Sequence, residues 1–97
     1  MGHREKYLDD IPTGKSNGVS RDELARKWHT DRRTVSAIVA DLRARGEIIA
    51  SGNAGYYRPA TDDEHAEYYH TQHSRALSIL KTLKASRRAL KKAGIAV

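Results

Sequence analysis

Three helix starts and two helix stops are legible in this chain as short polar motifs, and their spacing leaves little room for any other arrangement. In Ser20-Arg21-Asp22-Glu23 the Ser20 hydroxyl is placed to accept from the Glu23 amide while the Glu23 carboxylate reaches back, a reciprocal capping box. A helix is predicted from Ser20. Leu24, Ala25 and Trp28 form its apolar stripe, and Arg26 and Lys27 face outward. His29-Thr30 breaks the run, and Asp31 caps a second helix carrying Val35, Ile38, Val39 and Leu42 at i, i+3, i+4 and i+7. Gly46 stops it, with Arg43 and Arg45 in the last turn, where positive charge suits the helix dipole.

Past Gly46, Glu47-Ile48-Ile49-Ala50-Ser51 and Tyr56-Tyr57-Arg58 flank Gly52-Asn53-Ala54-Gly55, two β-prone runs around a turn that read as a hairpin. Pro59 ends it. Thr61-Asp62-Asp63-Glu64 is a second capping box, and nothing interrupts a helix from there to about Ala93, with Gly94 as the stop. At roughly 1.5 Å per residue this helix is about 45 to 50 Å long. Ahead of Ser20, Tyr7, Leu8 and Ile11 suit a short first helix ending before Pro12, and residues 12–18 read as a loop. Gly14-Lys15-Ser16 in that loop is not a phosphate-binding loop, because Asp9 stands where the motif needs its first glycine and no buried strand precedes it. The expected class is mainly α with a small β-hairpin, organised as residues 1–60 and a long helix in residues 61–97.

Composition narrows the function. Of 97 residues only 38% are hydrophobic and none is Phe, so one small core is expected. Eighteen Lys and Arg stand against 12 Asp and Glu, a formal charge of +6 that suits a polyanionic partner. With no cysteine there is no disulfide framework, no thiolate zinc site and no Cys nucleophile. No pairing of nucleophile and base stands out, so neither catalysis nor a cofactor or small-molecule ligand is expected. His65, His70 and His73 crowd one segment but read as surface histidines rather than a metal site. No apolar run reaches the roughly 20 residues of a membrane helix, and the opening residues lack the apolar core of a secretory leader. A soluble cytoplasmic protein without membrane contact is expected.

Small residues and arginines share the exposed side of the second capped helix. With Val35, Ile38, Val39 and Leu42 inward, Arg33, Ser36, Ala37 and Ala40 lie on or near the opposite face, flanked by Arg32 and Thr34. Small side chains allow close approach to a groove floor. Arginine can bond guanine bidentately, and Thr34 and Ser36 can bond base edges or phosphates. Lys15 and Arg21 lie near the loop and the first cap, where anions are favoured, and Arg43 is a further candidate. Trp28, sharing a stripe with Leu24 and Ala25, is read as core.

The order helix, helix, hairpin resembles the winged helix-turn-helix. The residues that carry the resemblance are Glu23-Leu24-Ala25, Asp31-Arg32-Arg33-Thr34-Val35, Ile38, Leu42-Arg43-Ala44-Arg45-Gly46, Ile48 and Gly55-Tyr56-Tyr57. With the loop at residues 11–17, they look most like small members from bacteriophages and integrated mobile elements, over about residues 8–60. The resemblance implies double-stranded DNA as partner, with the helix beginning at Arg32 in the major groove. It also implies that Asn53 and Arg58 on the wing reach the minor groove or backbone. Of Tyr56 and Tyr57, on opposite faces of the strand, Tyr57 is taken as the outward one, its hydroxyl able to reach a phosphate. His29 stands where such turns usually carry Gly, and the turn is expected to survive with some strain. Transcription regulation, organisation of a replication origin, and recognition of packaging or recombination sites all fit.

In the long helix Tyr69, His73, Ala76, Leu80, Leu83, Arg87 and Leu90 recur at alternating spacings of four and three, widened by Leu77 and Ile79. Such a stripe calls for a partner, and a homodimer through Leu77, Leu80, Leu83 and Leu90 is expected, paired either parallel or antiparallel. The alternative to DNA binding is a protein-interaction or inhibitor module, built on the same scaffold, that engages a host or nucleoprotein complex.

Overall fold

In the computed structural model residues 3–97 are described, with side chains from Lys6 onward. The elements run α1 (His3–Asp9), a 3-10 turn (Lys15–Asn17), α2 (Arg21–Lys27), α3 (Arg32–Ala44), β1 (Ala50–Gly52), β2 (Gly55–Tyr57) and α4 (Asp62–Lys92). Two compact units result, the first ending at Ala66 and the second spanning Glu67–Val97. The division falls inside α4 rather than at Ala60 because Glu64 ties the first turn of α4 to the loops before it. Its carboxylate accepts from the amides of Ala60 at 2.9 Å and Lys15 at 3.2 Å, while the Thr61 hydroxyl accepts from the Glu64 amide at 3.2 Å.

The predicted N-cap acceptors engage, but the return arm of the first capping box, from the Ser20 amide to the Glu23 carboxylate, does not form. Ser20 Oγ accepts from the Glu23 amide at 3.1 Å, and Asp31 Oδ1 from the Thr34 amide at 2.7 Å. Helix α2 closes by a paired backbone motif in which the Thr30 amide donates to Ala25 at 2.9 Å and the His29 amide to Arg26 at 3.3 Å. That geometry requires a left-handed residue between helix and turn, and His29 takes it with φ 53°. The turn survives its histidine, at a cost of order 1 kcal/mol relative to glycine. Helix α3 ends in the same way, with Gly46 at φ 99°, its amide bonded to Arg43 and the Glu47 amide to Leu42.

Strands β1 and β2 pair antiparallel in the register Ala50↔Tyr57, Ser51↔Tyr56, Gly52↔Gly55, which leaves Asn53 and Ala54 as the two-residue turn. Two single bridges join this hairpin to the loop before α2: Val19 pairs antiparallel with Tyr56 and Thr13 parallel with Arg58. Ile11, Leu24, Ala25, Val35, Val39, Leu42 and Ile49 form the core, with Tyr7, Leu8, Val19, Trp28, Ile38 and Tyr56 packed against it. Ile49 is buried, whereas Ile48 points to solvent.

One orientation is reversed from expectation. Tyr57 is not the outward tyrosine: it is 3% exposed and shares a face with its cross-strand partner Ala50, which is fully buried. Tyr56 is half-buried on the other face, against the core. Strand alternation decides which residues share a face, but not which faces are covered, and here both are.

Trp28 lies at the edge of the core, with its ring edge-on to Tyr7 at 4.8 Å and its indole Nε1 donating to Asp10 at 2.7 Å. Lys27 completes the cluster with Nζ 3.2 Å from the same carboxylate. Burial pushes the Asp10 carboxyl up, but the Trp28 hydrogen bond and the Lys27 ammonium outweigh it, and the net shift is downward. A carboxyl depressed by folding contributes stability that is complete above its unfolded value and is lost as pH falls through the folded one. Asp10→Asn keeps an acceptor for the indole while removing the charge, so it should lower stability at pH 7 by about 1 kcal/mol. For a domain this small that is roughly 4–8 °C in Tm. The deficit should begin to shrink as pH falls below about 4, where the unfolded chain takes up its proton, and should vanish only below the lower folded value, where both proteins carry a neutral side chain. Thermal unfolding across pH checks this, and a deficit that stays constant would remove the charge from the account.

In α4 no residue is buried, and Leu77, Ile79, Leu80 and Leu83 are each at least half exposed. No helix among the described residues is long and apolar enough to cross a membrane.

Candidate nucleic-acid interface

The exposed side of α3 begins at its cap. Asp31 holds the Thr34 amide, and that hydrogen bond lowers the Asp31 carboxyl below its usual range, so the cap stays ionised at neutral pH. Beyond it Arg32, Arg33, Thr34, Ala37 and Ala40 are exposed, Ser36 is half-buried, and Val35, Val39 and Leu42 face the core. The inward and outward sides therefore fall where the periodicity put them.

Two shallow depressions meet at Arg32. One is lined by Arg21 at the start of α2, by Asp22, by Arg32 and by Gly52, Asn53 and Tyr56 of the hairpin. The other is lined by Asp22, Arg26, Thr30, Asp31, Arg32 and Arg33. Arg21, Arg32 and Asn53, chosen from separate parts of the sequence, thus share one surface, and Arg33 adjoins it. Arg32 Nε is 3.0 Å from Asp22 Oδ1, with both side chains more than half exposed. Arg33 has no carboxylate partner among the described residues. Farther along α3, Arg45 pairs with Asp41 at 2.9 Å.

Arg26 and Asp22 were not singled out from sequence, yet both line this surface. The available signal was their i, i+4 spacing on α2 next to the turn, which places both beside the start of α3.

The remaining candidates lie elsewhere and are engaged within the fold. Arg43 reaches across to the hairpin, its Nε donating to the Ile49 carbonyl at 2.9 Å and its Nη2 to Ser51 Oγ at 3.1 Å. Arg58 donates through Nε to the Ile11 carbonyl at 3.2 Å, and its backbone bonds Pro12 and Gly14. Lys15 lies in the 3-10 turn, with its amide on Glu64. Tyr57, being buried, offers no hydroxyl-bearing face to a ligand. None of these four lines either depression.

No known protein family, curated protein or solved structure matches this chain.

Proposed function

We propose that this chain is a winged helix-turn-helix protein that binds double-stranded DNA in a sequence-specific manner, as a homodimer joined through α4. The reading rests on one observation: Arg32 and Arg33 open the exposed face of a capped helix that follows a tight left-handed turn, with Asn53 at the hairpin tip sharing a depression with Arg32. In this reading the N-terminal turn of α3 enters the major groove. Arg32 and Arg33 bond base edges there, the small side chains of Ala37 and Ser36 let the helix sit deep, and Arg21 and Asn53 hold the backbone alongside. The Arg32–Asp22 pair does not oppose this, since an ion pair so exposed is worth at most about 1 kcal/mol, less than a bidentate guanine contact of about 1–3 kcal/mol. Control of transcription, of a replication origin, or of packaging and recombination sites in a phage or mobile element is the setting this role suits.

The test is selection of a preferred duplex from random DNA, followed by comparison with the Arg32→Ala/Arg33→Ala variant. Two lost base contacts should weaken binding on the order of 100-fold while leaving the fold intact, because both residues are exposed. Undiminished binding by the variant would move recognition away from α3. A second reading is favoured by the Asp41–Arg45 pair, which gives the far end of the α3 surface mixed charge suited to a protein partner. A wild-type chain that enriches no motif would favour that reading, an interaction or inhibitor module.

A further inference from the structure

The C-terminal unit leaves one apolar surface without a partner, and its chemistry points to the occupant. Leu80, Leu83, Lys84, Ser86, Arg87, Leu90 and Val97 line a groove along α4 with an apolar floor and a cationic rim. Nearer the start of the same stripe, Tyr69 and His73 stack nearly parallel, centroids 5.6 Å apart and planes 16° apart, and form a flat aromatic plate. One helix thus carries both a plate and a groove whose arginine suits an aromatic face. Its charges are also polarised: Asp62, Asp63 and Glu64 fill the first turn, and Lys91 and Lys92 the last.

We propose that a second copy of this chain docks along α4 antiparallel, in a register centred on Ser78, so that each plate enters the other copy's groove. This rests on the dimer reading above and deepens it. In this register Ala76 opposes Leu80 of the second copy, His73 opposes Leu83, and Tyr69 opposes Arg87. On the two flanks Leu77 meets Leu77 and Ile79 meets Ile79 across the two-fold axis, so every leucine and isoleucine exposed between residues 77 and 83 is covered. Asp63 faces Lys91 of the second copy. Parallel pairing in register does the reverse. It sets Arg87 against Arg87 inside the stripe and brings the two basic ends together, with repulsion in place of both complementarities. A shift of one heptad from the central register moves Leu77 opposite a polar His70 or Lys84 and breaks up the apolar patch.

The absence of native cysteine makes the geometry directly measurable on the full chain. Two variants, His73→Cys and Leu83→Cys, the second isotopically heavy, are mixed at high micromolar concentration, oxidised mildly and read by intact mass. Both positions are exposed or nearly so and neither belongs to the core, so neither change threatens folding. The antiparallel register sets the thiol introduced by His73→Cys in one copy against the thiol introduced by Leu83→Cys in the other. Two thiols at the same position are about 15 Å apart along the axis, beyond the roughly 7 Å Cα separation that a disulfide spans. The mixed disulfide should exceed both self-disulfides at least tenfold. Predominance of the two self-disulfides would overturn the antiparallel register and leave a parallel dimer standing. A monomer mass for the unoxidised full chain at every concentration, with no disulfide in any combination, would overturn the dimer reading and this register with it. DNA selection by α3 is scored separately and is independent of either result.

Discussion

Leu42→Ala is expected to remove about 2–5 kcal/mol from the stability of the N-terminal unit, enough to leave a large share of it unfolded at 37 °C. Leu42 is 1% exposed on the inner face of α3 and belongs, among the described residues, to a cluster of seven buried side chains, none larger than Leu or Ile. The chain has no Phe, and the aromatic rings packed against the cluster are held at its margin, Trp28 by Asp10, Tyr7 against Trp28 and Tyr56 by its backbone bonds to Val19, so none swings freely into the vacated space. Removing its branched end therefore costs the transfer term and most of the cavity term, the upper part of the range seen for such changes. A unit of this size carries roughly 0.05–0.15 kcal/mol per residue, so the loss is a major fraction of the whole. The same residue also closes α3, since its carbonyl accepts the Glu47 amide that turns the chain toward the hairpin. Urea unfolding followed by circular dichroism should show a lower midpoint with an unchanged slope. A loss below about 1 kcal/mol would mean that the core relaxes around the gap. The proposed DNA binding should fall in proportion to the folded fraction, in contrast to Arg32→Ala/Arg33→Ala, which should leave the fold whole and remove the proposed contacts.

What was legible in the sequence was what is encoded within four or five residues. Ser20, Asp31 and Thr61 cap the helices they were read to cap, because a cap is a bond between a side chain and an amide three positions on. The apolar repeat Val35, Ile38, Val39, Leu42 assigned the inner face of α3 for the same local reason, and with it the outward face that carries Arg33 and Ala37. Side-chain roles set by distant partners were not legible. Arg58 bonds a carbonyl 47 positions away, Trp28 a carboxylate 18 away, and nothing in the neighbourhood of either residue announces the partner. Arg43 had the composition of a phosphate contact and is instead the strut between α3 and the hairpin. Tyr57 fell between these cases: its alternation with Tyr56 was readable, but the burial of both hairpin faces depends on the loop at residues 12–19, which no local pattern pairs with the strand.

The hairpin's attachment gives the other large expected effect, and three glycines separate its causes. Gly55 has φ 89°, and a Cβ built there lies 2.4 Å from the Val19 carbonyl oxygen and 3.1 Å from the Ser20 amide nitrogen. That carbonyl is no bystander: it accepts the Tyr56 amide at 2.7 Å, and Tyr56 in turn accepts the Val19 amide at 2.9 Å. Alanine at position 55 must therefore adopt a left-handed backbone, at about 1–2 kcal/mol, and also push apart the bridge that holds the hairpin beside the start of α2. A total of about 3–5 kcal/mol is expected, since two buried-edge hydrogen bonds are lost with the strain. Gly46 has a φ of 99° but open space around it, so Gly46→Ala should cost only the backbone part. Gly52 has no left-handed φ, and apart from its chain neighbours no atom of the described residues lies within 4 Å of an added Cβ, so Gly52→Ala should be nearly neutral. Chemical denaturation of the three variants should give the order Gly52, Gly46, Gly55 in increasing loss. Equal losses at Gly46 and Gly55 would mean that the close approach to Val19 relaxes without cost. The effect on function follows from the same geometry. Val19 precedes the Ser20 cap directly, and Asn53 lines the depression it shares with Arg21 and Arg32, so a hairpin levered off Val19 takes Asn53 away from both arginines. Under the proposed DNA-binding reading, a Gly55→Ala chain that still folds at low temperature should thus retain the base contacts proposed for α3 and lose those proposed for the hairpin, an affinity loss that is similar for every duplex sequence.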